Sequence, residues 1–103
     1  MKSRPGAAKP PEKVFSGDIM YKTTENISGA VNNQGKPIKF ELYISTVKGK
    51  RRKWAGERET LNDIDILIRQ NYLEKGFEYI SANIIVRFVT GHSLIERRYT
   101  KVN

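Results

Sequence analysis

The chain has 103 residues and a formal net charge of +8 at pH 7, with no cysteine. This length favours one domain, and the absence of cysteine excludes a disulfide framework and any thiolate metal site. It also favours a reducing compartment, the cytoplasm or, in a eukaryotic cell, the nucleus. No apolar run reaches the roughly 18 residues that predict a membrane-spanning helix, so we expect no contact with the membrane interior.

The N-terminal residues are rich in proline and in basic side chains. Pro5, Pro10 and Pro11 interrupt any periodic apolar pattern. We therefore expect residues 1–12 to form a disordered basic arm and residues 13–103 to form a single α+β domain. The arm either follows phosphates of a bound polymer or has no role in binding, and the sequence leaves both alternatives open.

Three strands are predicted before the helix. Residues 14–21 form the first, residues 23–26 a turn, and residues 27–31 a short second strand. The cluster of Asn and Gly at residues 32–35 then closes a hairpin, because these residues accept the positive φ of tight turns. Along the third strand, residues 38–45, one face is apolar: Ile38, Phe40, Leu42 and Ile44.

Residues 60–75 change to helical spacing. Thr60 is suited to cap this helix, with Asp63 three positions later in a capping-box arrangement, and Gly76 is suited to end it. Its apolar side chains fall on one side: Leu61, Ile64, Leu67, Ile68 and Tyr72.

A β-hairpin is predicted after the helix. Residues 79–89 alternate with one apolar face, Gly91 and His92 suit a type II′ turn, and residues 94–102 return.

The register of this hairpin follows from its turn. Arg87 would lie opposite Glu96 on the outer side, which is a favourable cross-strand pair. Arg97 would then fall on the core side, so we expect a bulge or an edge position near it.

These elements predict an α+β fold in the order β-β-β-α-β-β. The strands form a mostly antiparallel sheet of four or five strands, with the one helix packed on one face.

The strongest local charge lies between the third strand and the helix. We call residues 47–57 the basic segment and predict that it is a loop. Residues 47–56 carry five basic side chains and no acidic one. The basic segment contains these candidate binding residues: Lys48, Lys50, Arg51, Arg52, Lys53 and Trp54.

Two interpretations of the basic segment compete. In the first, the basic side chains neutralise phosphates of a nucleic acid and Trp54 stacks on a base. In the second, the charges keep a solvated connection soluble, and Trp54 packs under the sheet edge. We favour the first, because a run of like charges without an acidic neighbour repels itself and needs a compensating partner.

The sheet face without the helix is the second candidate site. Aromatic and basic side chains on an open sheet suit the binding of single strands. The residues predicted on this face are Lys39, Tyr43, Tyr79, Asn83, Arg87 and Arg98. Burial in a homodimer is an alternative, because Ile85 and Val89 are predicted on the same face. Plain solvation is a third.

Catalysis finds little support. His92 is the one histidine and lies in a tight turn, and no nucleophile is paired with a base. Asp63 and Asp65 point to different sides of the helix, so they do not form an acid/base pair. Zinc, calcium and phosphate-loop motifs are missing from the sequence. We therefore predict no enzyme activity, no metal and no cofactor.

The leading hypothesis is a non-catalytic nucleic-acid-binding module, for DNA or RNA, that contacts the phosphate backbone largely without sequence specificity. The alternative is a protein-interaction or inhibitor module that docks its basic loop on an acidic site of a larger protein. Loss of affinity spread over many cations indicates the first, and one or two dominant anchors indicate the second.

Overall fold

The computed structural model describes residues 13–15, 19–29 and 35–102. The predicted arm, residues 1–12, and most of the predicted turn at residues 32–35 lie outside the described residues. Within these ranges no helix is long and apolar enough to cross a membrane. The elements are β1 (Lys13–Phe15), β2 (Ile19–Gly29), β3 (Lys39–Ser45), β4 (Lys53–Arg58), α1 (Leu61–Ile68) with a following π-helical turn (Arg69–Leu73), β5 (Tyr79–Phe88) and β6 (Gly91–Val102).

The strands form one antiparallel sheet in the order β1-β2-β6-β5-β3-β4. β1 has three residues and pairs with the start of β2 at the sheet edge. The five longer strands and the helix follow one another along the chain as β-β-β-α-β-β. The predicted α+β fold, an open antiparallel sheet with one helix, is therefore confirmed.

The core lies between α1 and one face of the sheet. β3 and β5 alternate between buried and less buried residues as predicted. Ile38 is an exception: it precedes β3 and is 53% exposed, although the sequence pattern predicted it in the core. The buried sheet residues are Tyr21, Phe40, Leu42, Ile44, Ile80, Ala82, Ile84, Val86, Ile95 and Tyr99.

The predicted helix is confirmed, with its cap at Thr60 and its last residue, Leu73, two positions before the predicted end. Thr60 caps it, because its Oγ1 accepts a hydrogen bond from the Asp63 backbone N–H at 3.1 Å. Gly76 has a φ of +78°, a conformation that ends a helix at little cost only for glycine. The residues that α1 buries against the sheet are Ile64, Leu67 and Ile68.

The helix ends in the π-helical turn. The backbone hydrogen bonds of a π turn span one residue more than those of the α-helix, which shifts the buried position along the chain. Leu73 is therefore buried, whereas the predicted Tyr72 is only partly buried. The Asn71 side-chain amide donates to the Leu67 carbonyl at 3.1 Å, where the helical pattern changes.

β2 corrects the prediction of a turn at residues 23–26 and of a separate strand at residues 27–31. It is one strand that pairs with β6 from Met20 opposite Val102 to Gly29 opposite Ser93. The long row of backbone partners on β6 outweighs the local turn preference of asparagine. The predicted hairpin with β3 is also wrong, because β3 pairs with β4 and β5.

The turn between β5 and β6 lies at residues 89–90 and not at residues 91–92. In the observed register Arg87 is opposite His92, so the predicted pair with Glu96 does not form. The partner of Arg87 is displaced by four residues. This number is even, so every side chain that stays paired in the hairpin keeps its predicted face.

Arg97 lies on the core side as predicted, but the expected bulge or edge position is wrong. β6 lies between β2 and β5 and pairs with β5 in unbroken register, with Arg97 opposite the small Ala82. Its guanidinium contacts Glu25 (Nε to Oε1, 2.6 Å) and Asp65. Burial by itself lowers the pKa of Arg97, but Tyr99, Asp65 and Glu25 raise it by more. The buried charge is thus neutralised by paired carboxylates.

The basic segment is only partly a loop, which corrects the prediction for residues 47–57. Its second half belongs to β4, which pairs with β3 and has a register shift opposite Leu42 and Tyr43. Gly56 on β4 has a φ of +141°, and a Cβ there would lie 3.1 Å from the Leu67 side chain. A glycine at this position lets β4 pass close beneath α1. Residues 46–52 remain as the connecting loop.

Candidate functional site

The sheet face opposite α1 is the open face. One row of side chains crosses it from β4 to β2, with one residue on each strand, and we call it the central row: Trp54, Tyr43, Asn83, Glu96 and Asn26. The next row towards the loop is the loop-side row: Ser45, Ser81, Arg98 and Thr24. The alternation of β3 and β5 therefore placed Tyr43 and Asn83 on the predicted face, and Arg98 of β6 also lies on it, opposite Ser81.

The loop at residues 46–52 brings basic side chains to this face. Arg52 Nε donates to Ser81 Oγ at 2.9 Å. Lys48 Nζ lies 5.9 Å from the ring centroid of Tyr79, within the range of a cation–π contact. The two cations therefore lie over the start of β5.

A cleft on the open face, the sheet cleft, has a volume of about 240 Å³. It combines cations with hydroxyl, amide and carboxylate groups, so it offers both donors and acceptors. Its lining residues are Thr24, Asn26, Arg52, Ser81, Glu96 and Arg98, together with Glu25 and Arg97, whose side chains belong to the core side of the sheet.

A second cleft, the loop cleft, lies beside the end of β3 and has a volume of about 510 Å³. Its lining residues are Ile44, Ser45, Thr46, Val47, Lys50, Arg51 and Lys53. The basic segment is thus divided: Arg52 lines the sheet cleft, and three other cations line the loop cleft without an acidic residue among them.

The charges of the basic segment are not neutralised by the protein. Within the described part of the chain, no carboxylate forms a salt bridge with any of its five cations at positions 48 and 50–53. Five other cations do have acidic partners, namely Lys39, Arg69, Arg87, Arg97 and Lys101. Other described cations without a salt bridge, such as Lys36, Lys75 and Arg98, lie apart along the chain, whereas the five of the basic segment lie within six positions.

Lys39 and Arg87, two predicted site residues, lie on the open face but at its far end. Lys39 Nζ lies 3.6 Å from Glu41 and 3.4 Å from Glu57, and so bridges these two carboxylates. Arg87 donates to Glu41 at 3.1 Å. The structure therefore places both cations in an ion-pair network and does not bring them together with the loop.

This network predicts a dependence of stability on pH. The hydrogen bond from Arg87 holds the pKa of Glu41 below its ordinary value of 4.5. A carboxyl with a lowered folded-state pKa stabilises the fold above its unfolded-state pKa, and this contribution is lost as pH falls through the folded-state pKa. We expect the melting temperature, measured by circular dichroism, to decrease less steeply with falling pH below about pH 4.5 in Glu41→Gln than in the unaltered chain. Glu57→Gln keeps the Glu41–Arg87 contact and serves as the control. An equal flattening in both variants would contradict the assignment.

Trp54 is 61% exposed and lies directly opposite Tyr43 on the open face. The alternative in which Trp54 packs under the sheet edge is therefore wrong. An exposed indole beside unpaired cations offers a large flat surface to a ligand.

Several residues of the sheet cleft were not predicted. Ser81 follows the same alternation as Tyr79 and Asn83, so the pattern of β5 contained the signal for it. Thr24 and Asn26 were assigned to a turn, and only the pairing of β2 with β6 places them on the open face. Val89 was predicted on this face but lies in the turn after β5.

No group of three or more His, Cys, Asp or Glu side chains in the described residues is placed to hold a metal ion. Compared with known proteins, the chain matches no family model, no curated protein and no solved structure.

Proposed function

We propose that the chain is a non-catalytic nucleic-acid-binding module that contacts the phosphate backbone through the basic segment, largely without sequence specificity. The observation that carries this proposal is the unpaired positive charge at positions 48 and 50–53, next to the exposed Trp54. An unpaired cation can contact a phosphate without first leaving a carboxylate. The contact is favourable because it releases counterions condensed on the polymer. A reducing compartment, cytoplasmic or nuclear, suits a chain without cysteine.

The arrangement of the helix supports backbone contact over groove reading. α1 uses its apolar side for the core, and its first turn carries Asp63. An acidic helix end is repelled by phosphates, so we do not expect α1 to enter a major groove. The cations lie on a loop and a strand edge and therefore contact phosphates, which carry no sequence information directly.

The test is a binding titration of the full chain with labelled single-stranded and duplex DNA and RNA at about 50 and about 200 mM salt. Binding at the lower salt that weakens steeply at the higher one is the expected result. No binding to any of the four polymers at the lower salt would contradict the proposal. Pull-down of an acidic protein would then become the next experiment.

A further inference from the structure

We infer that the bound polymer is single-stranded and crosses the open face, with an unpaired base stacked on Trp54 and Tyr43 and its phosphates beside Arg52 and Arg98. This inference rests on the proposed function and names the class of nucleic acid and the path that it takes.

Trp54 and Tyr43 form an aromatic pair on the open face. Trp54 and Tyr43 are direct cross-strand neighbours, so their Cβ atoms lie about 5 Å apart on the same face. Burying the Trp54 ring requires a flat apolar partner, and no described residue covers it, since it is 61% exposed. The face of an unpaired base is such a partner, whereas the base faces of a duplex are covered by their neighbours in the stack.

The two rows of the open face differ in chemistry. The central row continues from the aromatic pair with Asn83, Glu96 and Asn26, which offer amide and carboxylate groups. The carboxylate repels phosphate but accepts hydrogen bonds from base N–H groups.

The loop-side row carries positive charge and therefore attracts phosphate, which the Glu96 carboxylate of the central row repels. Arg98 lies in this row, and Arg52 reaches it through its hydrogen bond to Ser81. The central row crosses five strands, a span of about 19 Å at the usual strand spacing, and the loop-side row runs beside it on four of them. A single strand presents bases on one side and phosphates on the other, and therefore matches both rows at once. A duplex keeps its base edges within grooves and meets a flat face mainly with phosphates.

Trp54 makes the inference directly measurable, because it is the single tryptophan of the chain. We titrate the full chain with unlabelled single strands and with a duplex of matched length, in DNA and RNA forms, and follow tryptophan fluorescence. Single-stranded DNA and single-stranded RNA are both expected to quench the tryptophan fluorescence. Each should also bind at least about tenfold more tightly than the duplex.

Variants separate stacking from charge. Trp54→Ala is expected to weaken single-strand binding by roughly 10- to 100-fold and duplex binding by less than about twofold. Trp54→Phe should restore part of the affinity, because phenylalanine keeps an aromatic face. Lys75→Ala, in the exposed turn after the helix, is the control and should leave binding and quenching unchanged.

The outcomes distinguish this inference from the proposed function. Salt-sensitive binding without quenching, or equal affinity for duplex and single strand, overturns the single-strand path and leaves phosphate binding intact. Absence of binding to every polymer overturns both. If Trp54→Ala fails to fold by circular dichroism, the quenching of the unaltered chain and the Trp54→Phe affinity still decide the question. Self-association in place of polymer binding, measured by sedimentation, counts against the inference.

Discussion

Replacing Lys50, Arg51, Arg52 and Lys53 together by alanine is expected to reduce nucleic-acid affinity by on the order of 100-fold or more at low salt. None of these four side chains forms a salt bridge with a described carboxylate, so their charge is free to neutralise phosphates. Each lost phosphate contact lowers the slope of log affinity against log salt by about 1. We therefore expect the slope to fall by about 3 to 4 in fluorescence-anisotropy titrations over a range of salt concentrations.

Matched double variants test whether position or total charge matters. Lys50→Ala with Lys53→Ala removes two cations from the loop cleft. Lys36→Ala with Lys75→Ala removes two exposed cations from outside the basic segment. Equal losses in both would show that net charge alone drives binding. In binding to an acidic protein, a loss concentrated on Arg51, Arg52 or Trp54 would instead favour the alternative, a protein interface with one or two dominant anchors.

Arg97→Ala is expected to lower the free energy of unfolding by about 2 to 3 kcal/mol. Arg97 is 12% exposed and joins Glu25 on β2 to Asp65 on α1, so its removal leaves both carboxylates without this partner. These carboxylates are 41% and 37% exposed, and solvent screening places the cost at or below the lower end of the range for a broken buried pair. Burial raises the pKa of the neighbouring Tyr99, so its hydroxyl stays neutral and does not replace the lost charge. Equilibrium urea denaturation followed by circular dichroism measures the change.

Lys101→Ala is the control for Arg97. Lys101 Nζ lies 4.0 Å from Glu78, whose side chain is 79% exposed. Surface pairs of this kind contribute little, so the control should cost less than about 0.5 kcal/mol. Similar losses in the two variants would show that the ion pairs of Arg97 add nothing beyond a surface contact.

Periodic burial explains the parts of the fold that were predictable. The alternation of β3 and β5 and the spacing of Ile64, Leu67 and Ile68 each reflect one element facing one core, so they are local signals. The cap at Thr60 and the stop at Gly76 are likewise set by residues within a few positions of the helix ends. The basic run and the open-face positions of Tyr43 and Arg98 followed from the same local information.

The sequence by itself therefore determined the fold class, the helix with its ends, the side of the sheet on which most strand residues lie, and the concentration of charge at positions 48–53. Only the tertiary structure decided that β2 is continuous, that β4 begins at Lys53, and that Lys39 and Arg87 belong to an ion-pair network away from the loop. It also decided that Arg97 is neutralised by Glu25 and Asp65. The physical reason is that the partners of a strand or of a charged side chain can lie far away in the sequence. Glu25 and Arg97 are 72 positions apart, and no local pattern indicates their contact.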